Sequence, residues 1–219
     1  MAVPIGVLVS GAGTNLRALL DATDAAGYPG RVAVVISNRR SAAALDVARA
    51  RGIDAVALPV GDFAGDLVAR DTAIRDALLR AGVRLVVCAG YDRVLTAPVL
   101  DAFPDAILNV HPSLLPAFAG GMHAVEDALA FGAKVSGCTV QLLEPGEADG
   151  GPIVLQAAVT VHEDDDADSL RQRIHEQEWR ILPQAVALWC SGRLRRDGRR
   201  VRIMPDAVQA SPQGTTARG

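Results

Sequence analysis

Three apolar runs constrain this chain more than anything else in it. Residues 5–9, 32–36 and 85–89 are apolar almost without a break. A strand that alternates apolar with polar residues has one wet face, whereas an unbroken apolar strand is buried on both. Residues 54–58 read as a further strand. Between these runs lie helical patterns starting near Leu16, running from a cap at Ser41 to Ala50, and running from about Asp66 to Arg80. Strands alternating with helices of this length predict parallel β-α-β units with helices on both faces. Later, residues 135–143 and 153–161 read as two strands joined by a loop rich in glycine and proline, which predicts an antiparallel addition. The expected fold class is α/β: a Rossmann-like, doubly wound, mostly parallel sheet with an antiparallel carboxyl-terminal addition. Ligands gather at the carboxyl ends of the strands of such sheets. Residues 10–15, 89–91 and 109–111 all fall at such ends.

The first strand runs into Ser10-Gly11-Ala12-Gly13-Thr14-Asn15 and then a helix. Glycines let the backbone approach a ligand, and the free amides of a helix start face an anion. A dinucleotide site is the competing reading. Its third glycine is missing, because Leu16 stands in that place. The second strand ends in Ser37-Asn38-Arg39-Arg40, with no acidic residue to hold a ribose. A monophosphate is therefore expected rather than a dinucleotide.

Chemistry concentrates in Asn109-Val110-His111-Pro112-Ser113-Leu114-Leu115-Pro116. The apolar run Ala106-Ile107-Leu108 leads into it as a short buried strand. Residues i and i+2 of a strand share a face, so Asn109 and His111 project side by side. An amide donor can hold a developing oxyanion, and an imidazole beside it can donate a proton or carry charge. That pair suits acyl transfer. The ordinary alternative is two satisfied interior polar groups.

The same stretch resembles the hallmark of the folate-dependent formyltransferases. The later Asp149-Gly150-Gly151-Pro152 is similar to the turn that carries their catalytic Asp. The resemblance covers nearly the whole chain and implies catalysis by Asn109, His111 and Asp149. It implies 10-formyltetrahydrofolate as co-substrate and glycinamide ribonucleotide as formyl acceptor, with no metal. Gly11, Gly13, Thr14 and Asn15 would take the nucleotide phosphate, which His123 would also reach. Glu178, in the pair Gln177-Glu178, would hold the ribose. Tyr91, Asp92, Arg93, Val94 and Leu95 would receive the pterin ring through their backbone, with Asn109 beside them. Asp92 stands where the family has Met; if the backbone reads the ring, its side chain matters little, and Asp92 can equally be a helix cap. Residues 63–67 offer no counterpart to an Arg that bacterial relatives use near the folate tail. After Pro116 the chain has Ala119 for the family's Pro, and an extra glycine near Gly121. The implied layout is a formyltransferase domain over residues 1–204. Its nucleotide-binding half spans about 1–105 and its folate-binding and catalytic half about 106–204.

Other features narrow the partners. The formal charge of −3 argues against a general nucleic-acid binder. Cys88, Cys138 and Cys190 are scattered and fit buried reduced thiols better than a disulfide framework. No stretch approaches the ~20 apolar residues of a membrane helix, and the amino terminus lacks the pattern of a signal peptide. A cytoplasmic enzyme is expected, as a monomer or a homodimer. His162-Glu163-Asp164-Asp165-Asp166 resembles a metal cluster, yet acidic residues before a helix are explained by its dipole. That helix, residues 167–190, should kink or divide at Pro183. The basic segment 193–202 contains Asp197-Gly198 and reads as a solvated hairpin. From Pro205 to Gly219 the composition predicts a disordered tail.

Relatives sharing the Asn-x-His pair include a transfer-RNA formyltransferase with a further carboxyl-terminal domain and a formyltetrahydrofolate deformylase with an amino-terminal regulatory domain. The chain is expected to carry neither domain. The remaining alternatives are a formyltetrahydrofolate deformylase lacking its regulatory domain and a nucleotide-binding module without catalysis; joint retention of Asn109, His111 and Asp149 argues against the module.

Overall fold

A computed structural model of the chain describes residues 1–146 and 149–206. The first half runs β1 (Val3–Val9), α1 (Thr14–Thr23), β2 (Gly30–Ser37), α2 (Ala43–Ala50), β3 (Asp54–Ala57), α3 (Leu67–Arg80) and β4 (Leu85–Cys88). The second half runs α4 (Ala97–Leu100), β5 (Ile107–His111), α5 (Ala124–Phe131), β6 (Val135–Leu142), β7 (Ile153–Thr160) and α6 (Ala167–Cys190). It closes with β8 (Leu194–Asp197) and β9 (Arg200–Ile203). Among the described residues no helix is long and apolar enough to cross a membrane.

The unbroken apolar runs occupy the interior of one sheet, ordered β3-β2-β1-β4-β5-β6-β7-β9-β8. From β3 to β5 all pairings are parallel. Strand β6 is antiparallel to both β5 and β7. The mixed, doubly wound sheet is therefore the one expected. Alternation along β1 explains why its run has no polar residue. Ile5, Val7 and Val9 pack on one face with Leu16 and Leu19 of α1, Leu45 of α2 and Ile174 of α6. Leu8 packs on the other with Ile74 and Leu78 of α3 and Val99 of α4. Each such fully buried side chain contributes about 1.5–3 kcal/mol. The chain leaves β1 toward β2 on one side and returns to β4 on the other, so a crevice opens between them. Ser10 N donates to Gly90 O across it at 3.1 Å.

Several local expectations change. Ser41 does not cap α2, which starts at Ala43 without any side-chain cap. Its Ala44 amide instead donates to Gly11 O at 3.2 Å, so the glycine loop does the capping. Pro183 does not divide α6, which is continuous through Cys190. Pro183 lies buried together with Ile181, Leu182, Ala185 and Val186, and that packed face holds the helix together past the missing amide. The acidic residues at the start of α6 do more than face its dipole: Asp166 and Ser169 form a reciprocal capping box. Asp165 takes the Arg173 guanidinium through both oxygens. Cys88 and Cys138 are buried, but Cys190 is only partly so. The hairpin β8–β9 is present and joins the sheet edge at Ile153↔Arg200. Of the expected tail, only Pro205 and Asp206 lie among the described residues.

Candidate active site

Strand β5 brings Asn109 and His111 to its carboxyl end on one face. Both line a cleft of about 660 Å³, within the range of small-molecule sites. Asn109 is half-buried and His111 is 5% exposed. His111 Nδ1 lies 3.0 Å from Ser113 Oγ, and the Ser113 hydroxyl donates to Ala117 O at 2.6 Å. Ser113 has one proton, already directed at that carbonyl, so its oxygen accepts from Nδ1–H. This assigns the tautomer and turns Nε2 toward the cleft.

Nε2 meets Asp149, whose Oδ2 is 3.3 Å away. The contact is not aligned as a hydrogen bond, as is common at catalytic pairs before substrate tightens them. Asp149 has φ 57°, the left-handed region that Asp and Asn tolerate better than most residues. Its loop lies close against β6. A Cβ at Gly151 would stand 1.8 Å from Leu142 O, so only glycine permits that approach. The carboxylate is held from three sides: Oδ2 also accepts from Gly120 N at 3.0 Å, and Oδ1 accepts from Gln141 Nε2 at 3.3 Å. Burial pushes the Asp149 carboxyl up, but contact with His111 and its charge, the Gly120 amide and the Gln141 amide outweigh it. The group is held below the usual carboxylate value.

The glycine loop forms the opposite side of the crevice. Gly13 precedes α1 at φ 78°, and a Cβ there would lie 2.8 Å from Ala44 Cβ. Gly11 is exposed and faces open space. Asn15, in the first turn of α1, donates through Nδ2 to Glu178 Oε2 at 2.8 Å, while its Oδ1 is buried without a protein partner. Glu178 is 3% exposed. Burial raises its carboxyl to about 7, against the opposing pull of Asn15 and of the His111 charge. That charge acts on Glu178 and Asp149 alike, so the two acids share one electrostatic neighbourhood.

Tyr91 to Leu95 line the cleft as a wall. Asp92 is not a helix cap, since α4 begins only at Ala97. Its carboxylate is tied into a polar knot. Oδ1 lies 2.9 Å from the Ser10 hydroxyl and accepts from Asn38 Nδ2 at 2.8 Å, and Oδ2 pairs with Arg39. The Asp92 amide donates to Ser10 Oγ at 2.9 Å. The side chain is thus structurally engaged, contrary to the expectation that its identity matters little. His123 precedes α5, is exposed, and forms no side-chain cap there. Among the described residues no group of His, Cys, Asp and Glu is placed to hold a metal ion.

Sequence reasoning missed Ser113 as the partner of His111, Gln141 and the Gly120 amide as partners of Asp149, and Ser10 and Asn38 as partners of Asp92. Gln141 is the one with a readable signal, because it is a polar residue inside an otherwise buried strand.

Comparison with known proteins is consistent with this arrangement. Residues 3–186 match the model of the formyl transferase family. The phosphoribosylglycinamide formyltransferase of Mycobacterium tuberculosis is 41% identical over 203 residues, covering 90% of this chain and 92% of that one. The trifunctional purine biosynthetic protein adenosine-3 of Drosophila melanogaster is 42% identical over 190 residues, 86% of this chain; the chain spans only 14% of that relative's length. The crystal structure of glycinamide ribonucleotide transformylase 1 from Symbiobacterium toebii superposes with a TM-score of 0.90 at 50% identity, covering 93% of this chain and 95% of that one.

Proposed function

The chain belongs to the formyl transferase family, and from that premise we propose that it transfers a formyl group from 10-formyltetrahydrofolate to the primary amine of glycinamide ribonucleotide. The observation that carries this reading is His111 Nε2 facing Asp149 Oδ2 at 3.3 Å beside Asn109 at the cleft. The cleft fits a folate head. Val94, Leu95, Leu100 and Leu143 give it an apolar wall, and Asn109, His111 and Asp149 add polar groups to its lining.

The nucleotide phosphate sits on the amides of Gly11, Gly13, Thr14 and Asn15, where glycine and a helix start favour an anion. Glu178 and the partnerless Asn15 Oδ1 accept from the ribose hydroxyls. His123 supplies a further contact to the phosphate from the start of α5. The formyl donor lies along the backbone of Tyr91, Asp92, Arg93, Val94 and Leu95.

As the amine attacks the formyl carbon, negative charge develops on the formyl oxygen. Asn109 and the imidazolium of His111 hold it, the role of preorganised donors in a site shielded from water. Ser113 fixes the ring so that Nε2 is the nitrogen presented. Asp149 stays ionised across the neutral range and faces that nitrogen. It takes the proton released by the attacking amine and passes it to the leaving nitrogen, so no net charge is left behind.

Incubation with 10-formyltetrahydrofolate, with and without glycinamide ribonucleotide, tests the reading. Formylated nucleotide made only when the nucleotide is present supports it. Formate released without the nucleotide would assign a hydrolase, and no turnover would leave a binding module.

A further inference from the structure

Helix α3 contains a charged pair that the reaction does not use. Arg70 and Asp71 are adjacent and both 0% exposed. Arg70 Nε donates to Asp71 Oδ1 at 2.7 Å, and Nη2 lies 2.6 Å from the same oxygen. A buried pair of this kind is a poor source of stability, because desolvation offsets most of its attraction and apolar residues of similar volume do as well or better. Arg70 Nη1 is moreover buried without a protein partner, a further penalty.

The bonds left over after pairing all go to one place. Arg70 Nη2 donates to Val94 O at 3.0 Å. Asp71 Oδ2 accepts from Thr96 N at 2.6 Å and from Thr96 Oγ1 at 2.8 Å. Each partner therefore grips the backbone of the segment that forms one wall of the cleft. The arrangement is specific: Oδ1 holds the guanidinium, Oδ2 holds Thr96, and the guanidinium edge holds Val94. The Val94 side chain itself is 69% exposed, so side-chain packing does little to position that residue.

We infer that Arg70 and Asp71 are positioning residues for the formyl-donor side of the site, fixing the backbone of residues 94–96 without touching substrate. The inference rests on the reading that the donor lies along residues 91–95. A wall read through its own backbone groups needs that backbone held in advance, since disorder there would subtract directly from affinity. Two charges locked to each other and to three backbone or hydroxyl groups hold it from behind.

The test uses the whole chain with two variants. Arg70→Met alone leaves the Asp71 carboxylate buried and unpaired and is the variant at risk of misfolding. Arg70→Met combined with Asp71→Asn removes both charges, keeps an acceptor for Thr96, and releases Val94 O. In the folded double variant the KM for 10-formyltetrahydrofolate should rise about five- to tenfold, the scale of one to two net hydrogen bonds. The KM for the nucleotide and kcat should hold near wild type. Amide hydrogen exchange at residues 94–96 should accelerate while that of β1 and β5 is unchanged. Equal rises in both KM values, or no rise in either, would overturn the donor-side role. Unchanged exchange at 94–96 would overturn the positioning role itself. Absence of formyl transfer in the wild type would instead overturn the functional reading, with the exchange result still deciding whether the pair holds the wall.

Discussion

Asn15 Nδ2 donates to Glu178 Oε2 at 2.8 Å, joining the start of the first helix to the middle of the last across 163 positions. Glu178 is buried, and its carboxyl is raised from an ordinary 4.5 to about 7. A raised acid binds its proton more tightly when folded, so stability falls as pH climbs from the unfolded value toward the folded one. Between about pH 4.5 and 7 this group should remove roughly 3 kcal/mol from the wild type. Glu178→Gln should flatten that part of the pH–stability curve, measured by urea unfolding, while raising the KM for the nucleotide. Identical curves for the two proteins would contradict the buried-acid account.

Asp149→Asn keeps the shape of the site and tolerates the left-handed backbone. It should lower kcat by about 10²-fold or more, the scale of losing one transition-state stabiliser. Nucleotide affinity, measured by calorimetry, should change little. The sign of the acid response is opposite to that of Glu178. The depressed Asp149 carboxyl contributes stability above its ordinary value of 3.8, lost as pH falls through its folded value. The Asn variant should lack that loss. Near-normal turnover in Asp149→Asn would reduce Asp149 to a turn residue.

Gly11 and Gly13 should separate binding from folding. Gly11 faces open space, so Gly11→Ala should leave the melting temperature unchanged while raising the nucleotide KM. Gly13→Ala meets both a positive φ and the Ala44 side chain, and should cost roughly 2 kcal/mol or more of stability. Thermal unfolding beside steady-state kinetics distinguishes the two. A Gly11→Ala enzyme with a raised donor KM and a normal nucleotide KM would show the two substrates to be interchanged.

Asp92 joins the end of β1, through Ser10, to the end of β2, through Asn38 and Arg39. Asp92→Met empties that knot and should raise the KM of both substrates by about tenfold. Asp92→Asn keeps an acceptor for Ser10 and Asn38 and should cost far less. If Asp92→Met is as active as wild type, the knot is a surface adornment.

What could be read in advance followed from period and turn chemistry. The interior strands were visible because burial on both faces excludes polar residues. Asn109 and His111 were visible because a period of two is independent of tertiary context. Asp149 was found through its turn and the family likeness. Gln141 stands out as a polar residue in a buried strand, but its approach to Asp149 depends on how β6 pairs with β5 and with β7, the latter through a register shift at Val140/Gln141, which no local pattern encodes. Arg70 and Asp71 were hidden because adjacent charges in an amphipathic helix look solvated until the neighbouring wall is known. Ser41 failed as a cap because a carbonyl from a distant loop took the place of its side chain.

The hairpin β8–β9 meets the sheet through one residue pair, yet its arginines bracket the loop that carries Asp149. Arg196 pairs with Glu144 at the start of that loop, and Arg199 Nη2 donates to Gly150 O at 2.6 Å. A unit held by so few ladder bonds and exposed ion pairs opens at a lower free energy than the sheet behind it. Each opening withdraws support from the Asp149 carboxylate while the core stays folded. Heating or high salt should therefore silence the enzyme in two stages. Activity should fade first, reversibly and at temperatures where the circular dichroism of the body is still native, and cooperative melting should follow only later.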